Sequence, residues 1–175
     1  LDLENGWLCV DAAGEPKAEQ FLETLRRTEE SFAPARLHTQ MSPVAAMGKW
    51  ILAGDVPGAF SIDQDLELRA TDASKATVRY ARHALEGKDI RDHISAGKTV
   101  MKMGLTWNDR VSFVLTEQLQ ISRVNFVDIV REESGAEAAD AEEQFAIDFA
   151  IMTGELSRMI ADLMQALGGE KPPEE

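Results

Sequence analysis

The run Thr99-Val100-Met101-Lys102-Met103-Gly104-Leu105-Thr106-Trp107-Asn108-Asp109-Arg110-Val111-Ser112-Phe113-Val114-Leu115 sets the architecture of the chain. Thr99, Met101, Met103, Leu105 and Trp107 recur at every second position, as do Val111, Phe113 and Leu115. A period of two sends one set of side chains to one face of a strand. Asn108-Asp109 between the two runs is turn chemistry, because Asn and Asp bond their own backbone and tolerate left-handed dihedrals. The run predicts two antiparallel strands joined by a tight turn.

The flanking segments extend this meander. Ile121, Val124 and Phe126 predict a further strand whose broken alternation points to a bulge. Upstream, Phe60, Ile62, Leu66 and Leu68, then Val78 and Tyr80, predict two more strands. A short helix from Asp89 to Ala96 stops at Gly97, a natural left-handed position. Ser42-Pro43 reads as an N-cap and first turn, with Val44, Met47, Trp50 and Ile51 lining one helical face to Gly54. A short strand is expected around Arg36–Thr39, and a helix runs from Pro16 to about Glu30 with Ala18, Phe21, Leu22 and Leu25 on one side. Asn5-Gly6 between apolar runs predicts an opening β-hairpin that contains Cys9, read as a small buried hydrophobe.

Residues 132–143 are acidic and rich in Ala, and read as a loop into the longest helix. There Phe145, Phe149, Met152, Leu156, Met159, Ile160, Leu163 and Leu167 fall at three and four spacing, a stripe expected to pack as core. Gly168-Gly169 ends it, and 171–175 read as a frayed tail. The expected fold class is α+β, mainly antiparallel sheet with segregated helices and a long C-terminal helix. Three segments are expected: 1–58 as hairpin plus helices continuing a domain begun elsewhere, 59–131 as a strand meander with a basic face, and 132–175 as acidic loop, long helix and tail.

The chain has 175 residues, 44% of them apolar, enough for a real core. Its formal net charge is -13, which as a single number argues against a polyanionic partner. The distribution says otherwise. Residues 1–68 hold 5 basic and 12 acidic side chains, residues 69–131 hold 11 and 7, and residues 132–175 hold 2 and 12. The middle third is a basic island between acidic flanks, either a solvated face or an anion-binding surface. One cysteine excludes an internal disulfide and suits a reducing compartment. No apolar stretch nears the roughly 20 residues of a bilayer span, so neither membrane insertion nor secretion is expected. The chain opens at Leu1 without Met, as a piece of a longer protein would.

Catalytic motifs are not evident. Ala96-Gly97-Lys98-Thr99 ends like a phosphate-binding loop, but the glycine required five residues before Gly97 is Asp92, and a helix precedes the motif where a strand should. His38, His83, His93 and Cys9 show no metal-ligand spacing, and there is no Gly-x-Ser-x-Gly elbow. Carboxylates are abundant, but nothing singles out an acid–base pair. The expectation is no enzyme, no cofactor and no metal.

The run His93-Ile94-Ser95-Ala96-Gly97-Lys98, then Lys102, Leu105, Trp107, Arg110 and Val111-Ser112-Phe113-Val114-Leu115, resembles the bacterial recombination-associated RdgC family. Asp148-Phe149, Met152-Thr153-Gly154-Glu155-Leu156, Leu167-Gly168-Gly169, the opening hairpin, Trp50 and Leu66-Glu67-Leu68 fit the same pattern. The family's proteins are longer, and this chain would be their C-terminal part. The resemblance implies a cytoplasmic, nucleoid-associated protein that binds double-stranded DNA with little sequence preference. It also implies that two horseshoe-shaped subunits form a homodimeric ring around the DNA and limit the access of RecA.

A ring that holds DNA needs cations on its inner wall, because nonspecific affinity comes mostly from neutralising phosphates. Lys98 and Lys102 match family positions and, four apart in an unbroken strand, leave the same face. Arg110 lies just past the turn, Arg79 and Arg82 occupy a stretch where the family tends to be basic, and Arg123 lies on the last strand. These six are the candidate DNA contacts. Each could equally be a solvated or acid-paired cation. The alternative function is a protein-interaction or oligomerisation module built on the acidic flanks and the Met-rich terminal helix.

Overall fold

The computed structural model describes residues 1–127 and 140–172. The described residues fall into two compact units, one of residues 1–38 with Pro172 and one drawn from residues 39–171.

In the first unit the expected opening hairpin shrinks to a single bridge. Asp2 and Trp7 exchange backbone hydrogen bonds of 2.8 and 2.9 Å around a loop in which Gly6 takes φ 70°. The Asp2 carboxylate accepts from the Glu4 and Asn5 amides, so a side chain, not a strand ladder, satisfies the loop. Helix α1 (Glu15–Thr28) has Pro in its first turn and buries none of its residues. Cys9 is exposed, contrary to its expected burial. The strand expected at Arg36–Thr39 is absent; Arg36 instead holds Glu15 and, at 2.8 Å, Glu19.

In the second unit Thr39 makes only an isolated bridge with Glu170. Helix α2 (Pro43–Ala53) is capped by Ser42, whose hydroxyl accepts from the Ala45 amide, and ends at Gly54 in the left-handed conformation, as expected. Five strands, β1 (Phe60–Ala70), β2 (Thr77–Tyr80), β3 (Lys98–Trp107), β4 (Val111–Thr116) and β5 (Ile121–Phe126), form an antiparallel sheet in the order β2-β1-β3-β4-β5. Helix α3 (Lys88–Ser95) precedes β3, and helix α4 (Ala141–Ala166) follows the sheet. This is the expected α+β class. The expected loop at 132–143 lies mostly outside the described residues, as do 173–175 of the expected tail.

One face of the sheet is apolar. Leu66, Leu68, Val100, Met103, Leu105, Trp107, Val111, Phe113 and Leu115 are buried there, and Phe60 meets Phe113 edge-on at 6.2 Å. Each fully buried Leu or Met contributes about 1.5–3 kcal/mol. Trp107 Nε1 donates to Asp162 of α4 at 2.7 Å, which seats that helix on the same face. The other face is polar, carrying rows such as Ser61-Thr106-Ser112-Asn125 across β1, β3, β4 and β5.

Bulges interrupt both inner and outer strands. Glu67 pairs with Lys102 but Leu68 pairs with Val100, so Met101 is an extra residue in β3. It reverses the facing of everything before it, and Val100 takes the core position that simple alternation assigned to Met101. In β1, Asp63, Gln64 and Asp65 bulge opposite Gly104, where a Cβ would lie 3.2 Å from the Asp63 Cβ and 3.3 Å from the Asp65 Cβ. In β5 the expected bulge occurs at Arg123, with φ 54°.

The apolar stripe of α4 is core only in its second half. Met159, Leu163 and Leu167 are buried, whereas Phe145, Phe149 and Met152 are 69%, 58% and 41% exposed. The core expectation for those three residues is corrected.

Candidate anion-binding face of the sheet

Strand register brings a row of charged side chains together on the polar face. Directly opposed residues in an antiparallel pair share a face. Arg79 of β2, Glu67 of β1, Lys102 of β3 and Thr116 of β4 therefore stand in line across four strands. Glu67 is only 5% exposed, covered by the cations around it. Arg79 Nη2 donates to its Oε2 at 2.7 Å, Lys102 Nζ lies 3.4 Å from the same oxygen, and Arg69 Nη2 lies 3.5 Å from Oε1. The Arg79 hydrogen bond, with the nearby Lys102 charge, holds the Glu67 carboxyl below the usual carboxylate range despite its desolvation. Three cations surround one carboxylate, leaving an excess of positive charge on partly exposed side chains.

A second pair lies beside this cluster. Arg123 Nη1 is 3.4 Å from Asp65 Oδ2 and so links β5 to β1 past Gly104 and Val114 of the intervening strands. The Arg82 amide donates to the other Asp65 oxygen at 3.3 Å, which places that loop at the β1 bulge.

Three of the six expected residues, Arg79, Lys102 and Arg123, thus bring their side chains to carboxylates of this face, and the Arg82 backbone lies at its margin. Lys98 and Arg110 do neither. The Met101 bulge breaks the four-residue spacing, so Lys98 shares its face with Leu68 and Val100 and reaches His93 Nδ1 of α3 at 3.2 Å. The same-face expectation for Lys98 and Lys102 is corrected on that ground. Arg110 is turned to α4, where Nε and Nη2 donate to Glu155 at 3.0 and 3.1 Å. Glu155 is 2% exposed and also holds Arg158. Arg110 is a structural tie between the β3–β4 turn and α4.

Arg69 and Glu67 were missed as site residues, although their spacing carried the signal. Two apart on a strand whose Leu66 and Leu68 face inward, both must face outward. A Tyr80 cluster lies away from this face: its hydroxyl donates to Asp89 of α3 at 2.8 Å. Desolvation, reinforced by that carboxylate, pushes the phenol up to about 12. Among the described residues no three His, Cys, Asp or Glu side chains are grouped to hold a metal ion, and no helix is long and apolar enough to cross a membrane.

The second unit thus defines an α+β protein with one face of its antiparallel sheet packed as core and the other presenting a cationic cluster. Comparison with known proteins supplies the family. The family model described as "Putative exonuclease, RdgC" matches residues 1–170. The chain is 50% identical over 173 residues to the recombination-associated protein RdgC of Dechloromonas aromatica, covering 97% of this chain and 57% of that protein. It is 47% identical over 171 residues to the proteins of the same name from Herminiimonas arsenicoxydans and Burkholderia orbicola, covering 98% of this chain and 57% and 56% of theirs. The chain belongs to the RdgC family of recombination-associated proteins, and it spans little more than half the length of these curated relatives.

Proposed function

We propose that this chain contributes a non-sequence-specific surface for double-stranded DNA, with no catalytic role of its own. The observation that carries the reading is the convergence of Arg69, Arg79 and Lys102 on one buried carboxylate at the polar face of the sheet. Contacts of this kind neutralise phosphates and release counterions, giving affinity without base readout. The acidic balance elsewhere repels DNA and confines it to this face. In the wider reading, two subunits close a ring around the duplex at the nucleoid of the cytoplasm, and the bound protein limits RecA's access to it. The relatives' recombination-associated role supports that setting.

Fluorescence anisotropy with unrelated duplexes tests this. Affinity should be similar for all of them and fall steeply with salt. Salt-independent or strongly sequence-selective binding would overturn the reading, and shortening of duplex ends by the pure protein would overturn its non-catalytic part in favour of the family model's exonuclease description.

A second reading is assembly without direct DNA contact. It is favoured by the exposed Phe145, Phe149 and Met152 on α4, the first two with rings stacked at 6.1 Å. If truncating that half of α4 abolishes dimers while Lys102→Glu leaves DNA retention unchanged, assembly is the role of this chain.

A further inference from the structure

We propose that Glu67 is the positioning residue of a single-phosphate site, holding Arg69, Arg79 and Lys102 ready to receive one phosphodiester of duplex DNA. The inference rests on the DNA-binding reading of the polar face.

A carboxylate is the last group that counterion release alone would place in a DNA-binding surface. Glu67 nevertheless lies at the centre of this one, almost wholly buried, with both oxygens facing cations. Its partners come from three adjacent strands, so their backbones are fixed by the sheet. Their side chains are long and would otherwise wander, and immobilising such a side chain on binding opposes association. Glu67 has already immobilised them. A guanidinium has five N–H donors and an ammonium three, so contacts with one carboxylate leave most donors unused. Arg69, Arg79 and Lys102 are each partly exposed, and the cluster keeps a net charge of +2, so a phosphate can join as a second anion without displacing the first. Thr116 continues the row on β4, directly across from Lys102.

This role and simple electrostatics predict opposite signs. Removing the Glu67 charge makes the face more positive and should tighten DNA binding if charge count alone matters. If Glu67 positions the cations, its loss loosens all three.

The test is duplex binding by the full chain across a salt series, with circular dichroism as the check on folding. Glu67→Gln is expected to weaken binding about three- to tenfold and to make the slope of log K against log salt shallower by about one, the loss of one phosphate contact. Glu67→Asp keeps the net charge but draws the carboxylate back by one methylene, and it too should weaken binding. That variant decides the matter if Glu67→Gln fails to fold. Wild-type or tighter binding by the folded variants overturns the positioning role. The double variant Arg79→Gln, Lys102→Gln separates the two levels of the argument. If it binds as wild type, the DNA-binding reading falls and the inference with it; if it binds weakly while the Glu67 variants do not, only the positioning role falls.

Discussion

Replacing Arg110 with Met removes the partner that Glu155 holds with two hydrogen bonds of 3.0 and 3.1 Å while keeping much of the side-chain volume. Glu155 is 2% exposed, and leaving a buried charge without its partner typically costs about 3–5 kcal/mol. Arg158 still reaches Glu155, but from an exposed position one turn along the same helix, and it recovers part of that loss. The expected destabilisation is about 2–4 kcal/mol. At roughly 2–4 °C per kcal/mol for a chain of this length, the unfolding midpoint should fall by about 4–16 °C. Urea unfolding measures it, as a lower midpoint at unchanged slope. Adding Glu155→Met should restore most of the stability, because an apolar pair replaces the orphaned charge. Duplex affinity at a temperature where both proteins are folded should stay within about twofold, since Arg110 faces α4. A loss below about 0.5 kcal/mol, or a fall in DNA affinity as large as that from Lys102→Gln, would refute the assignment.

Three further outcomes follow from the same geometry. The Glu67 carboxyl is depressed in the folded state, so its contribution is present above the unfolded carboxylate range and is lost as pH falls through the lowered folded value; the stability difference between wild type and Glu67→Gln should shrink on acidification in urea melts from pH 7 to 3. The Tyr80 phenol is raised from 10 to about 12, so its contribution is complete below pH 10 and lost as pH rises toward 12, and Tyr80→Phe should flatten that alkaline limb, read by circular dichroism. Gly104→Ala places a methyl 3.2–3.3 Å from the Asp63 and Asp65 Cβ atoms and should destabilise the sheet by about 1–3 kcal/mol in denaturant melts.

The central hairpin was legible because its two signals agree. Met103, Leu105 and Trp107 keep the inward period of two, and Asn108 and Asp109 adopt φ 48° and 53° as their chemistry allows. The facing of Lys98 was not legible. It depends on one extra residue, Met101, which becomes visible only when β3 is paired with β1, a contact remote in sequence. The role of Arg110 was hidden for a similar reason: a basic side chain after a turn announces its charge but not a carboxylate 45 residues away. In α4 the helical period identified the face carrying Phe145, Phe149 and Met152, but periodicity cannot say what covers a face. The Glu67–Arg69 pair is readable from strand alternation but not from net charge, which counts an acid only against a cationic surface.

Lys98 and Lys102 offer the sharpest comparison, being the same residue type on one strand with opposite facings. The salt dependence of duplex binding should be measured for Lys98→Gln and Lys102→Gln side by side. If the polar face holds the phosphate backbone, Lys102→Gln weakens binding and makes the slope shallower by about one, while Lys98→Gln stays within about twofold of wild type. A loss at Lys98 equal to or greater than that at Lys102 would contradict the account.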